Sequence, residues 1–315
     1  HFGKNAIQTN GTLMDEGHVD LFLRYNVAVG LSIDGPGQCN AARWAGSIQR
    51  TSEATRRSEE ALHLLLSRGI RPGIIVTLHR ANAHGQAFED LIDWLISLDY
   101  LGVPQVRLHL LEVDSDAVRR DLRLDDSEAC QVLDELRQLE RRVLKNLRFD
   151  IFQEIESLLR GRDEVASCTW RACDPYTTPA VRGIEGHGQT SNCGRTNKSG
   201  VDYLKAELHG LERYLALFQT QQQDGGCAGC RFFLACKGQC PGTALDGDWR
   251  NRSEQCEIWK HLFVQIESDL MAIGVLPISM RSDRGQIELV QMENWANGVN
   301  PPLSSVVAAA QRSFG

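Results

Sequence analysis

The sequence predicts an α/β protein that begins with a parallel β-sheet and continues into a cysteine-rich domain. Apolar stretches of strand length alternate with amphipathic stretches through the first half of the 315 residues, which is typical of successive β–α units. Eight of the ten cysteines then lie between positions 168 and 256. The fraction of apolar residues, 42%, is ordinary for a soluble globular protein.

Four strands are predicted from short apolar runs, over residues 5–10, 27–33, 71–80 and 105–113. The run over 27–33 is almost continuously apolar and ends at a turn that begins with Asp34, as expected for a strand buried on both faces. Helical spacing of apolar residues predicts helices over 14–25, from about 52 to 69, over 88–98, and over 127–159 with a break near Phe149. This alternation implies a parallel sheet with right-handed crossovers.

Ligands of parallel sheets bind at the carboxyl ends of the strands. The polar residues at those ends are Thr9, Asn10, Ser32, Asp34, Thr77, Arg80 and His109. They either contact a ligand or only cap strands and turns, and the residues alone leave both interpretations open. The sequence contains neither a GxGxxG nor a GxxxxGK[ST] phosphate-binding motif, so nothing in it supports nucleotide triphosphate or dinucleotide binding.

Charge and hydropathy argue against two classes of partner. The formal net charge is −7, which disfavours nucleic acid because phosphate binding needs a basic surface. No run of eighteen apolar residues occurs, so no transmembrane helix and no membrane partner are expected. A signal peptide is not visible either, and we therefore expect a cytoplasmic protein.

The eight clustered cysteines follow a defined spacing. Cys168-x4-Cys173 is followed by Gly188-x4-Cys193, then by Cys227-x2-Cys230-x5-Cys236-x3-Cys240, and last by Cys256. Eight thiols suffice for two four-thiolate sites, which select zinc or iron–sulfur clusters. Zinc ribbons usually carry two CxxC pairs, and this chain has one. Structural zinc and disulfides stay open as alternatives, although disulfides suit small secreted domains better.

This spacing resembles the SPASM-type extension of radical S-adenosylmethionine (SAM) enzymes, whose signature is C-x9–15-G-x4-C, then C-x2-C-x5-C-x3-C, then a final cysteine. The stretches QTNGTLM, SIDGPGQCNAAR, GIIVTLHRAN and VRLHLLEV resemble the third to sixth strands of the radical SAM barrel. The resemblance covers about residues 5 to 273. It implies a partial (β/α)6 TIM-like barrel, here from about its third strand, in residues 1–160. A SPASM domain would follow in 161–275, and then a C-terminal appendage in 276–315 with no predicted role.

The resemblance also implies cofactors. Two auxiliary [4Fe-4S] clusters are expected, one on Cys168, Cys173, Cys193 and Cys240 and the other on Cys227, Cys230, Cys236 and Cys256. S-adenosyl-L-methionine is expected to contact Thr9, Asn10, Ser32 and Asn40. A third, SAM-binding [4Fe-4S] cluster needs a C-x3-C-x2-C motif, which we expect in residues that precede this sequence.

The function implied by the resemblance is that of a radical SAM/SPASM oxidoreductase. Such an enzyme uses a 5′-deoxyadenosyl radical to install a thioether, carbon–carbon or ether cross-link, or an oxidation, on a ribosomally made precursor peptide or protein. It takes electrons from a reductant such as flavodoxin or ferredoxin. The alternative is a non-catalytic, cluster- or zinc-stabilised module that binds peptide.

Two departures from the family pattern bear on the site and the substrate. Cys39-Asn40 stands where members often carry His-Asp, so Asn40 would offer a ribose hydroxyl a neutral rather than a charged partner. Gly194 follows Cys193, where sulfatase-maturing members carry an aspartate. An anaerobic sulfatase-maturase-like enzyme is therefore the second choice among enzymes.

Overall fold

The structure is a computed structural model. It describes residues 5–112, 115–164, 166, 168–173, 183–184, 186–188, 190–191, 193, 195 and 211–314. Gly194, on which part of the substrate argument depends, lies outside the described residues. The chain divides into two compact units, His1–Gln153 and Glu154–Gly315. The three-part domain division stays a prediction.

The first unit is built on a five-stranded parallel sheet whose spatial order follows the chain order. The strands are β1 (Ala6–Thr9), β2 (Ala28–Ser32), β3 (Gly73–Leu78), β4 (Gln105–Leu110) and β5 (Arg148–Phe149). The helices are α1 (Glu16–Arg24), α2 (Ile48–Ser67), α3 (Gly85–Tyr100), α4 (Asp116–Leu122) and α5 (Asp126–Arg142), and α6 (Asp150–Leu159) begins in the first unit and ends in the second. The predicted fold class, a partial TIM-like α/β arrangement followed by a cysteine-rich region, is confirmed.

The helical region predicted over 127–159 is broken near Phe149 as expected, but the break is a β-strand, which was not predicted. Two helices, α5 and α6, are separated there by β5, because Phe149 pairs with Val106 of β4. The turn before β5 is held by the buried Asp99, whose carboxylate accepts the backbone N–H groups of three consecutive residues, 145 to 147. Helix α4 is also absent from the prediction, because its seven residues bury no side chain and so show no apolar face.

Burial of β2 differs from the prediction on one face. Val29 and Leu31 are buried, but Gly30 and Ser32 are only half-buried. On that face the Gln8 side chain of β1 lies over Gly30, where a Cβ would meet its Oε1 at 2.0 Å. Gln8 Nε2 also donates to Ser32 Oγ at 2.9 Å. Polar side chains thus occupy the face that the apolar run predicted to be fully buried.

The second unit is mainly helical. Its helices are α7 (Glu212–Gln219), α8 (Phe233–Cys236), α9 (Cys256–Ala272), α10 (Arg284–Ala296) and α11 (Leu303–Phe314), and β6 (Gly183–Ile184) pairs antiparallel with β7 (Thr190–Ser191). One apolar cluster contains Tyr214, Phe233 and Trp295, and a second contains Ile287 and Val306. The C-terminal residues are therefore part of the packed core of this unit.

Across the part of the chain that the structure describes, no helix combines the length and the apolar character needed to cross a membrane.

Candidate functional site

The first thiol group consists of Cys168, Cys173, Cys193 and Cys240. Cys168 begins a single 3-10 turn that ends at Arg171, and it has a left-handed φ of 54°. The pKa of the buried Cys173 thiol is raised well above its ordinary value, first by a hydrogen bond with Cys168, then by burial, and then by the charges of Cys193 and Cys240. The structure therefore brings these four side chains into one electrostatic neighbourhood.

The second thiol group consists of Cys227, Cys230, Cys236 and Cys256, which border one cavity. Burial, followed by the charges of Cys230 and Cys256, raises the pKa of Cys227 to about 12. Burial, followed by the neighbouring thiols, raises the pKa of Cys236 well above its ordinary value. These thiols are neutral at physiological pH until a group that binds thiolates replaces their protons.

Close backbone packing shapes this cavity. Cys230 N–H donates to the Cys227 carbonyl, and Cys227 N–H donates to the Leu217 carbonyl at 2.7 Å. Gly226 packs so tightly that an added Cβ would lie 2.0 Å from the Thr220 carbonyl oxygen. Cys256 enters the cavity wall from the first turn of α9.

A short reversal of the chain separates Cys236, in the second thiol group, from Cys240, in the first. Lys237, Gly238 and Gln239 all have left-handed φ values, of 53°, 69° and 60°. The buried Lys237 side chain donates from Nζ to the Trp170 carbonyl at 2.8 Å and lies 3.7 Å from Asp163 Oδ2. Because Trp170 follows Cys168 by two residues, this lysine ties the reversal to the segment that carries the first thiol group.

Three buried N–H donors on residues that line the cavity have no hydrogen-bond acceptor within the described structure: Gln239 Nε2, Arg252 Nε and Trp259 Nε1. Buried donors are nearly always paired, so the cavity suits an occupant rich in acceptors. None of the ten cysteines, all of which are described, forms a disulfide. Among the described residues, no group of three or more His, Cys, Asp or Glu side chains could hold a single metal ion.

The predicted SAM contacts from β1 and β2 lie at adjacent strand ends. Thr9 Oγ1 accepts the Gly11 N–H at 3.1 Å, and Asn10 Oδ1 accepts the Thr12 N–H at 3.2 Å. Ser32 ends β2, next to Thr9, because Thr9 pairs with Leu31. Each of these three side chains forms hydrogen bonds within the protein through only part of its polar groups. Their roles in SAM binding stay predictions.

Asn40 is placed differently from the other three. It is buried, its Oδ1 accepts the Asp34 N–H at 2.8 Å, and its Nδ2 donates to Thr55 Oγ1 at 3.0 Å. The side chain thus fastens the loop after β2 to α2. Its predicted role as a SAM contact stays untested, and its observed role is to hold this loop.

Sequence reasoning named Asp34 and Thr77 at these strand ends but missed the buried polar network that joins them to Arg43, His79 and Asn82. Asp34 Oδ1 accepts from Arg43 Nη2 and from the Thr77 N–H, each at 2.7 Å. Burial opposes ionisation of Asp34, but His79, Arg43 and the Thr77 amide hold its pKa below the ordinary value of 3.8. His79 Nε2 lies 3.8 Å from Asp34 Oδ2, which is beyond hydrogen-bond distance.

Asn82 completes this network. Its Nδ2 donates to the carbonyls of Asp34 and Thr77, and its Oδ1 accepts the His79 N–H. The only signal in the sequence was the polar stretch HRAN directly after the third strand, which does not reveal a contact to residues more than forty positions earlier.

No family model matches the chain, and no curated protein matches it. Several solved structures do match the chain. Native anSMEcpe with bound AdoMet aligns with a TM-score of 0.60 at 16% identity, covering 86% of this chain and 75% of that chain. The complex of native anSMEcpe with AdoMet and the Cp18Cys peptide aligns with a TM-score of 0.61 at 16% identity over the same shares. Hexahistidine-tagged anSMEcpe with AdoMet gives 0.62 at 17% identity, covering 85% and 74%.

These structures are of an anaerobic sulfatase-maturing enzyme, a radical SAM enzyme. At this level of identity the likeness shows the fold. The chain therefore has a radical SAM fold, and the resemblance predicted from the sequence is confirmed at that level.

Proposed function

We propose that this protein is a radical SAM/SPASM oxidoreductase that modifies a side chain of a ribosomally made peptide or protein. One observation carries the proposal: a chain with a radical SAM fold has eight clustered cysteines, and four of them border one cavity. All ten cysteines are free thiols in the structure.

Each thiol group would hold one auxiliary [4Fe-4S] cluster. Four sulfur ligands are the usual donor set for such a cluster, which when bound supplies one-electron transfer. The three unpaired donors around the second thiol group support this assignment, because cluster sulfurs accept hydrogen bonds. The raised pKa values of Cys227 and Cys236 imply that binding releases protons from these thiols.

The strand ends of the first unit would bind SAM. Thr9, Asn10 and Ser32 offer polar atoms at neighbouring positions, while Asn40 and Asp34 hold the adjoining loop in shape. SAM and its own cluster, when bound, would supply the radical chemistry, and the ligands of that cluster are expected upstream of this sequence. A flavodoxin or ferredoxin is the expected reductant.

The substrate class is supported by two solved structures of the same fold that contain peptides, Cp18Cys and Kp18Cys. We favour a thioether, carbon–carbon or ether cross-link, or an oxidation, in a precursor peptide. Sulfatase-maturase-like activity is the second candidate, favoured by the likeness to anSMEcpe and disfavoured by Gly194. A non-catalytic peptide-binding module is the alternative outside the enzymes.

Iron content tests the cluster assignment. Anaerobically reconstituted protein is expected to hold about eight iron atoms per chain, from two four-iron clusters. Cys240→Ala should lose about half of them, by damaging the first thiol group, whereas Cys130→Ala on α5 should keep them all. Stoichiometric zinc without iron in the reconstituted wild type would contradict the proposal, as would full iron content in Cys240→Ala.

The coding sequence upstream of His1 separates the enzyme from the non-catalytic module. A C-x3-C-x2-C motif is expected there. Protein that includes it should release 5′-deoxyadenosine from SAM when reduced, and a full-length protein that holds its clusters but leaves SAM intact would favour the binding module.

A further inference from the structure

We propose that Gln239, Arg252 and Trp259 donate hydrogen bonds to the cluster held by the second thiol group and thereby raise its reduction potential. This inference rests on the proposed function, since it requires a cluster in the cavity that the second thiol group borders. It goes further in assigning three side chains, none of them a ligand, that determine how readily this one cluster accepts an electron.

Only part of the Arg252 guanidinium forms hydrogen bonds within the protein. Its Nη1 donates to the carbonyls of Gln222 and Gly226, the latter at 3.0 Å. Its Nε is buried and has no acceptor among the described residues, although the residue lines the cavity. The backbone contacts hold the side chain in place, so its remaining donor and its positive charge stay beside the thiols.

Trp259 is placed by helix geometry. It follows Cys256 by three residues on α9, and residues three apart share a helix face. The indole packs edge-on against Trp170, with ring centroids 5.8 Å apart and planes at 89°, which fixes the ring. Its buried Nε1 finds no acceptor in the described part of the chain.

Gln239 approaches from the chain reversal between Cys236 and Cys240. It is buried, with a left-handed φ of 60°, and its Nε2 is the third buried donor without an acceptor in the described structure. One cavity is therefore lined by residues from three separate segments of the chain, each with a buried donor that lacks an acceptor in the described structure. An acceptor-rich occupant explains all three, whereas three independent packing defects would each cost free energy.

Positive charge near the cavity would also raise the reduction potential of the cluster. Lys260, four residues after Cys256, also lines the cavity, and its Nζ contacts Gln222 Oε1 and Glu257 Oε1, each at 3.2 Å. Hydrogen bonds to cluster sulfurs and nearby positive charge stabilise the more negative, reduced state of a cluster. Both effects shift its potential upward.

The test is a potentiometric titration of the reconstituted protein, followed by electron paramagnetic resonance. Trp259→Phe removes one donor and keeps the ring, Arg252→Lys keeps the charge but removes Nε, and Arg252→Gln removes both. Each is expected to shift one midpoint potential to a more negative value, with the largest shift for Arg252→Gln. The other midpoint should not move, and it serves as an internal reference.

Cys168→Ala assigns the signals, because the couple that survives in it belongs to the second thiol group. Matched controls are Arg250→Gln, whose side chain is 64% exposed and pairs with Asp248, and Trp44→Phe, whose residue is 61% exposed. Both should titrate like the wild type. Circular dichroism and iron content check that each variant is folded and loaded.

Two outcomes are distinguishable. Wild-type midpoints in both Trp259→Phe and Arg252→Lys, at full iron content, would overturn the assignment of these donors while leaving the clusters in place. A wild-type chain that takes up no iron would overturn the proposed function itself, and this inference with it. Trp259→Phe keeps the aromatic packing, so the test does not depend on Arg252→Gln folding.

Discussion

Asn40 shows how a residue that matches a binding motif can already be used by the protein. Both ends of its amide are engaged, one with the Asp34 N–H and the other with Thr55 Oγ1, and the side chain is buried. Ser32 is half-buried, and its hydroxyl accepts one exposed bond from Gln8. The two residues therefore differ in how much of their polar surface is left for SAM.

We expect Asn40→Ala to lower the free energy of unfolding, because it leaves the buried Asp34 N–H without its acceptor at a cost of about 1–3 kcal/mol. Ser32→Ala should instead weaken SAM binding about two- to twelve-fold, the worth of one ordinary hydrogen bond of about 0.5–1.5 kcal/mol. Thermal melting and calorimetry on cluster-loaded protein measure the two effects. Unchanged melting of Asn40→Ala would show that its amide does not hold the loop.

Asp34 makes part of the stability of the first unit dependent on pH. Its pKa is below 3.8 in the folded protein, so its contribution is complete above the unfolded value and is lost as pH falls through the folded value. Asp34→Asn should therefore be less stable than the wild type near neutral pH, and the difference should shrink as the pH falls below 3.8. Chemical denaturation across this range measures it, with Asp93→Asn on the exposed face of α3 as the control. A difference that stays constant with pH would show that folding does not lower the pKa of Asp34.

At the scale of elements, the second thiol group depends on backbone segments that pass close together. Gly226 directly precedes Cys227, and no side chain fits between it and Thr220. The segment that contains Arg252 runs beside it, and the Arg252 N–H donates to the Gly225 carbonyl at 2.8 Å. A shift of this segment would move Cys227 relative to the other three thiols.

Gly226→Ala is therefore expected to reduce both stability and the iron held by the second thiol group, because its Cβ would clash with backbone rather than with a flexible side chain. Gly285→Ala in α10 is the matched control, since a Cβ there meets nothing within 4 Å, and it should be neutral or stabilising by up to about 1 kcal/mol. Denaturation and iron analysis compare the two variants. Equal behaviour would mean that the close approach at Gly226 is not required.

At the scale of the whole molecule, residues 276–314 pack within the second unit. Trp295 is 1% exposed and packs against Tyr214, with ring centroids 4.9 Å apart. Asn300 Nδ2 donates to the Arg171 carbonyl at 2.6 Å, and the Leu303 N–H donates to Asp163 Oδ1 at 2.7 Å. These contacts fasten the C-terminal helices to the segment that carries the first thiol group.

Trp295→Ala should destabilise the protein by about 3–5 kcal/mol, the usual cost of removing a large buried aromatic side chain. The exposed Trp44→Ala should change stability little. Urea denaturation of both variants measures the difference, and an equal, small effect would mean that the C-terminal helices are dispensable for the second unit.

The sequence by itself determined the alternation of strands and helices, the number of clustered thiols and their resemblance to a known spacing. Those features are local: apolar periodicity and cysteine intervals can be read along the chain without knowing what touches what. The break at Phe149 was visible, but the strand formed there depends on Val106 and on the turn held by Asp99. Only the tertiary structure decided that Asn40 is engaged by Asp34 and Thr55, and that donors from positions 239, 252 and 259 meet around one cavity without acceptors among the described residues. Such properties depend on which groups burial brings together and which it leaves unpaired, and contacts between distant residues leave no periodic trace in the sequence.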